Sequence, residues 1–379
     1  MFKKKIVQLI NGLPGWHTPR RIVVIESDDW GSIRMPDKAT YDLLLAKGIR
    51  VDNCPYNRYD SLASEKDLSA LFELLAMFRD FNGNHPVLTA NCVVANPDFE
   101  RIRDSGFTTY QYEKFTDTLL RFPDCHNSFH LWKEGMTRKL FHPEFHGREH
   151  LNVIRWMDAL GAGMPETMLA FNHGLFGIST HITSERRKSY LQVFDVHDAR
   201  DLDQIRTIIA DGIALFRQIF GYPARSFIAP NYTWPVEIEP DLAELGIRYL
   251  KGGIIQNAPV PGTVKNRKIR HFTGRRNHQG QIHIERNCGF EPTLYPNRNS
   301  VDDCLHQISQ AFEMNKPAVI TSHRVNFIGS LVESNRDNNL RQLRMLFIRL
   351  LQKWPEVEFM TAEELGDLID KNRKTGNDE

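Results

Sequence analysis

Short apolar runs recur along the chain, each followed by a polar cluster and then by an amphipathic stretch. "RIVVIESDD" (21–29) predicts a first strand. "HPVLTAN" (85–91), "NSFHLW" (127–132), "RSFIAP" (225–230), "IRYLKG" (247–252), "KPAVITSH" (316–323) and "VEFMT" (357–361) predict the strands that follow. Between them, apolar residues three and four positions apart predict helices over 65–81, 201–221, 300–315 and 339–354. Ser300 with Asp302 and Asp303 reads as a helix start, and Gly221 and Gly246 read as stops. Strands alternating with helices imply an α/β fold with parallel strands and right-handed crossovers. The pattern fits a closed barrel or an open doubly wound sheet. In both, ligands bind beyond the carboxyl ends of the strands.

Two stretches break the rhythm. "KNRKIRHFTGRRNHQGQIHIERNCGFEP" (265–292) reads as a β-hairpin excursion with its turn at "NHQGQ", and residues 161–200 read as an insertion. Residues 1–20 are expected to form an N-terminal arm, 21–370 a single domain and 371–379 a frayed polar tail.

Composition narrows the function classes. Hydrophobic residues are 41% and charged residues 25% of the 379, which provides for a large core in a globular chain. The 48 basic and 47 acidic side chains nearly cancel, so no global field draws in nucleic acid or anionic lipid. Cys54, Cys92, Cys125, Cys288 and Cys304 are scattered singly, which argues against a disulfide framework and against a thiolate zinc site. "MFKKKIVQLINGLPGW" lacks both the apolar run and the cleavage site of a signal peptide. No stretch approaches the roughly 18 apolar residues of a membrane span. A cytoplasmic protein is expected.

The candidate chemistry lies at predicted strand ends. Asp28 and Asp29 follow the apolar run Ile22–Ile25 directly, and adjacent carboxylates there can take separate roles, one on a metal and one on a proton. The alternative is a turn-capping Asp29 and a solvated Asp28. In "LFHPEFHGREHLNV", His142, His146 and His150 stand at four-residue steps. "EHLNVIRWMDAL" reads as a helix with His150 in its first turn and His146 just before it, which stacks two imidazoles on one face. Two imidazoles and a carboxylate suit Zn²⁺ with an open position for water. His142, before Pro143, is less easily aimed at the same point. His323 ends "KPAVITSH" at a strand terminus, where an imidazole is either a general acid or a ring satisfied by a backbone partner.

Taken in order, "ESDDWG" (26–31), "HGREH" (146–150), "IAPN" (228–231) and "ITSH" (320–323) resemble the motifs of the polysaccharide deacetylase superfamily, carbohydrate esterase family four. "VEFMTAEELGDLI" (357–369) resembles that family's last strand and helix, so the likeness runs over about residues 20–370. The resemblance implies an irregular (β/α)7 barrel with helical and hairpin insertions. It implies a divalent metal, Zn²⁺ foremost, on Asp29, His146 and His150, with Asp28 as catalytic base and His323 as catalytic acid. The implied reaction is hydrolysis of an acetyl group from an N- or O-acetylated saccharide by metal-activated water, with a backbone N–H near Asn231 at the oxyanion. Trp30, Tyr232 and Trp234 are candidates to stack on a sugar face, or to be packing residues.

The chain departs from the family pattern twice. Ile228 stands where the motif arginine is expected, leaving Arg324, Arg225 or Arg286 to orient the base. The D-x-x-D-W-like motif after "YLKGG" is absent, which leaves the partner of His323 unassigned. Two other readings remain. One is a glycoside hydrolase using Asp28 with Glu285 or Glu291. The other is a non-catalytic, metal-containing carbohydrate-binding protein.

Overall fold

The first apolar run forms β1 (Arg21–Trp30), the strand around which the main sheet is built. The structure, a computed structural model, describes residues 14–122, 124–263 and 265–374, so residues 1–13 of the expected arm and 375–379 of the expected tail lie outside it. The other strands of this sheet are β2 (Leu88–Val93), β3 (Phe141–Gly147), β4 (Ser226–Ile228), β5 (Tyr249–Gly252), β6 (Ile282–Glu285), β7 (Cys288–Gly289), β8 (Ala318–His323) and β9 (Val357–Met360). Their order is β6-β5-β4-β3-β2-β1-β8-β7, with β9 against the first half of β1, and every pairing is parallel.

The two edges of the sheet, β6 and β7, belong to one segment, Ile282–Gly289. Its first half pairs with β5 and its second half with β8. The sheet therefore curls until both edges meet on a single run of chain. Helices Glu65–Ala76, Ala199–Phe220, Ser300–Glu313, Glu333–Lys353 and Ala362–Lys374 flank it. This is the expected mixed α/β architecture, a curled parallel sheet of the (β/α)-barrel type.

Because side chains alternate along a strand, the inward positions form layers. Ile22 and Val24 of β1 meet Tyr249, Ile282, Ile284 and Val319 in an apolar floor closed by Ala362, Leu365 and Ile369 of the last helix. Two residues further up β1 the inward positions become ionic, with Glu26 and then Asp28. Val23 and Ile25, on the other face, join the larger core under the outer helices. In the ionic layer Lys251 of β5 is fully buried. It donates to Glu144 of β3 and to Asn91 Oδ1 of β2, and lies 3.4 Å from Glu26.

Four local expectations change. "NSFHLW" is part of helix Ser128–Thr137, because Ser128, Trp132 and Gly135 share one buried helical face. The strand of that region is instead β3, which contains His142 and His146. The helix after the histidines starts at Val153, capped by Asn152, so His150 lies in the preceding loop and not in a first turn. The hairpin sits earlier than expected, pairing Ile255–Pro259 with Asn266–Arg270. The "NHQGQ" turn carries a single bridge, Arg276 to Ile282. Ile282 and Ile284 alternate into the apolar floor, which draws that run into the main sheet. Among the described residues no helix is long and apolar enough to cross a membrane.

Lys251→Met removes the ammonium and leaves Glu144 and Glu26 buried without it. The expected result is a loss of about 3–5 kcal/mol in stability, read from the urea midpoint. A loss below about 1 kcal/mol would contradict this account of the ionic layer.

Candidate metal and acid–base site

The carboxyl end of β1 is irregular in a way that matters. The register with β2 shifts between Ser27 and Trp30, and Asp29 has φ +74°, a left-handed conformation that few non-glycine residues adopt. An even strand would send Asp28 and Asp29 to opposite faces. The bulge instead lets Asp29 meet the histidines while Asp28 faces His323 and Arg286. A second shift, between Cys92 and Val93 opposite β3, falls beside His146.

Asp29, His146 and His150 converge, each presenting a ligand atom within 4.8 Å of the other two. His150 Nε2 is 3.0 Å and His146 Nε2 3.7 Å from Asp29 Oδ1. His146 Nδ1 lies 2.9 Å from the Ile228 carbonyl, which can only accept, so Nδ1 bears a proton and, in the neutral ring, the lone pair is on Nε2. That Nε2 is buried without a hydrogen-bond partner. Burial pushes the Asp29 carboxyl up, but Arg34 and His150 hold it well below the usual range. Burial pulls His150 down to about 4 against the attraction of Asp29. An ionised carboxylate thus lies against two imidazole nitrogens, His150 Nε2 in hydrogen-bond contact with it and His146 Nε2 without a partner. One carboxylate and two imidazoles so placed are a donor set that suits a cation.

Asp28 is gripped from two sides. Arg286 Nη1 and Nη2 donate to Oδ2 and Oδ1 at 2.7 and 3.1 Å, and Asn91 Nδ2 donates to Oδ1 at 2.7 Å. Burial alone would raise its pKa, but Arg286, His146 and His323 keep it well below the ordinary carboxylate value. Of the three arginines considered, Arg286 is the one that contacts Asp28. It reaches Asp28 from the bend between β6 and β7. The other two candidates are engaged elsewhere, Arg324 with Asp60 and Arg225 with Asp367.

His323 is the register partner of Asp28, and its Nε2 lies 3.8 Å from Asp28 Oδ2. Its Nδ1 donates to Glu291 Oε1 at 2.6 Å, while Asn326 Nδ2 donates to Oε2 of the same carboxylate at 2.7 Å. Burial pulls the His323 ring down, but Glu291, Asp28 and Asp29 together lift it to about 9. Glu291 is therefore the partner of the imidazole. Glu285, the other carboxylate considered beside Asp28, has Lys316 and Arg270 as its charged neighbours.

The aromatic candidates divide. Tyr232 lies with its hydroxyl 3.4 Å from Arg286 Nη1, and its ring covers Gly252 and Gly253, where a Cβ on Gly253 would come within 3.2 Å of it. Asn231 beside it has φ +55° and donates from its side chain to the Leu191 carbonyl. Trp30 is 1% exposed, packed edge-on to Trp132 and Phe141, and offers no face to a ligand. Trp234 is 3% exposed, donates to Glu239 and stacks on His271. Both tryptophans are core residues, which corrects the stacking role considered for them.

Several residues around the site carried no motif. Arg34 donates to Asp29 Oδ2 at 3.0 Å and lies 3.6 Å from Asp60. Asn91 and Glu291 hold Asp28 and His323. The available hint was position: "TAN" ends a predicted strand, and Arg34 follows the aspartate pair by a few residues.

No family model matches the chain, and no curated protein matches it. Among solved structures, it is similar to a protein from Mycobacterium smegmatis described as a polysaccharide deacetylase, at 13% identity and TM-score 0.45, over 95% of this chain and 94% of that one. A second, from Pseudomonas aeruginosa PAO1 with the same description, gives 11% identity and TM-score 0.45 over 94% and 92%. A third is a CE4 family pseudoenzyme from Bacillus anthracis, at 9% identity and TM-score 0.39 over 93% and 67%. The family whose motifs the sequence resembles is thus represented among similar solved structures. At such identities the likeness carries nothing on activity.

Proposed function

We propose that the chain is a metal-dependent deacetylase that hydrolyses an acetyl group from an N- or O-acetylated saccharide. The observation that carries this reading is the buried convergence of Asp29, His146 and His150, with Nε2 of His146 bare, directly beside an ionised Asp28 and a protonated His323. The donor set, two imidazoles and one carboxylate, fits Zn²⁺ with a position left for water. A divalent ion held there would polarise the acetyl carbonyl and acidify water.

The chain's own groups divide the proton work. Asp28, fixed by Arg286 and Asn91, takes a proton from the attacking water. His323, charged at neutral pH through Glu291, gives one to the leaving amine or alcohol as its bond to the acetyl carbon breaks. Water adds to the carbonyl, and acetate leaves. The backbone N–H near Asn231 is the oxyanion donor we assign. Arg34 leads from Asp29 into a cavity of about 630 Å³ whose walls include Tyr56, Phe176, Tyr190, Asn57 and Gln192. Aromatic faces beside amides and the Arg34 and Arg187 guanidinium groups suit the ring face and oxygens of a sugar. Five buried free thiols suit a reducing compartment, the cytoplasm.

Asp28→Asn is expected to lower kcat for acetate release by about 10²–10⁴-fold while bound metal per chain stays unchanged. His150→Ala should lose that metal. Acetate release that survives Asp28→Asn at the wild-type rate sinks the proposed base.

The acid group gives a pH test. His323 acts protonated and titrates at about 9, so activity holds below that pH and falls as pH rises through it. Glu291→Gln removes the largest influence raising the ring, so the falling limb should move to lower pH in a kcat–pH profile. An unmoved limb would show that another group supplies the proton.

A further inference from the structure

At the amino end of β3, away from His146, lies a second set of side chains with ligand chemistry. His142 and Glu144 share the inward face of β3 with His146, and Glu363 reaches them from the first turn of helix Ala362–Lys374. One ligand atom of each lies within 4.8 Å of the other two. Metal–nitrogen and metal–oxygen bonds of about 2.0–2.2 Å place neighbouring ligand atoms about 3–3.6 Å apart, so small side-chain rotations complete the set. None of the three has a part in the deacetylation chemistry above.

Three observations go beyond proximity. The first is charge. Glu26 and Glu144 are fully buried and Glu363 is 6% exposed; Arg286 lies 3.8 Å from Glu26, and Lys251, shared with Glu26, is the cation in ion-pair contact with Glu144 among the described residues. Glu363 has no ion pair among the described residues. One of its oxygens accepts the Arg225 backbone N–H at 3.2 Å, and the other has no hydrogen bond among the described residues. Burial and the neighbouring Glu144 raise Glu363 to about 8, so this second carboxyl beside Glu144 is balanced either by a proton or by a cation.

The second is the imidazole. The His142 ring stacks on Tyr222, with centroids 5.4 Å apart and planes at 13°, and its nitrogens have no hydrogen bond among the described residues. The third is access. His142 and Glu363 line a cavity of about 960 Å³ that also includes Arg225, Thr361 and Glu364, providing an entry route and room for water ligands. Glu144 is already held in place by Ser226 Oγ at 2.5 Å, by Lys251 and by the Glu363 N–H at 3.1 Å. Such outer bonds are what orient a ligating carboxylate.

We infer that His142, Glu144 and Glu363 form a second divalent-cation site, at the opposite end of the barrel from Asp29. Its imidazole and two carboxylates suit Zn²⁺ or Mn²⁺, with water from the cavity completing the coordination. The competing account is a proton shared between Glu144 and Glu363 with no ion at all.

The test is zinc stoichiometry on the full chain, loaded with Zn²⁺, desalted and measured by elemental analysis, with far-UV circular dichroism on each variant. Two ions per chain are expected in the wild type. One should remain in His146→Ala/His150→Ala, one in His142→Ala/Glu363→Gln, and none when all four changes are combined. Glu363→Gln alone keeps the side-chain volume and should weaken the second zinc at least tenfold in competition with a chelating dye. A wild-type count retained in both His142→Ala/Glu363→Gln and Glu363→Gln overturns the second site, as does a single zinc that His146→Ala/His150→Ala removes. A single zinc lost only from His142→Ala/Glu363→Gln upholds the second site and overturns the metal assignment at Asp29.

Discussion

Carboxylates buried inside a closed sheet are the constraint from which the rest of this structure follows. Glu26, Asp28, Asp29 and Glu144 all point into the barrel, and none is more than 6% exposed. An unpaired carboxylate there would be expelled or protonated, because no water replaces its lost hydration. Each therefore draws a cation from another part of the chain. Lys251 on β5 serves Glu144 and Glu26, Arg286 at the β6–β7 bend serves Asp28, and Arg34 serves Asp29. Asn91 ties two of these pairs together by donating to both Glu26 and Asp28 while accepting from Lys251. The layer is at once the polar centre of the fold and the platform under the site.

Much of the frame was legible in the sequence because strand and helix periods leave separate marks. β1, β2, β4, β5, β8 and β9 all fall on predicted apolar runs, and the long amphipathic helices fall on theirs. The histidine segment misled for an instructive reason. A four-residue step puts side chains on one face of a helix, but it does the same in a strand, where every even step returns to one face. In a strand the rise of about 3.3 Å per residue carries His142 and His146 about 13 Å apart. They share a face and still belong to opposite ends of the barrel. His150 then reaches Asp29 from the loop before Asn152, which no periodicity describes.

The partners of the two acid–base groups were hidden for a different cause. Arg286 and Asp28 are 258 positions apart, and their meeting depends on the sheet curling until Ile282–Gly289 joins both edges. Glu291 reaches His323 two residues beyond β7, on the chain leaving that seam. A closure of this kind is a property of the whole sheet. It leaves no mark in a short window of sequence, so the departures from the family motifs looked like vacancies. In the fold, an arginine and a carboxylate reach Asp28 and His323 from the seam.

The seam also bears on how an ionised carboxylate and a protonated imidazole coexist as neighbours. Asp28 and His323 face each other across a parallel register, 3.8 Å apart, and two such groups left alone could share a proton and lose their separate roles. What keeps them distinct is that each has a stronger claim on it from outside the pair. Arg286, with two donors on the carboxylate, holds Asp28 ionised even against burial. Glu291, itself steadied by Asn326, holds the proton on His323. Opposed environments of this kind assign acid and base roles to adjacent groups. The seam supplies both outside partners, so closing the sheet and setting the protonation states of Asp28 and His323 are one structural event.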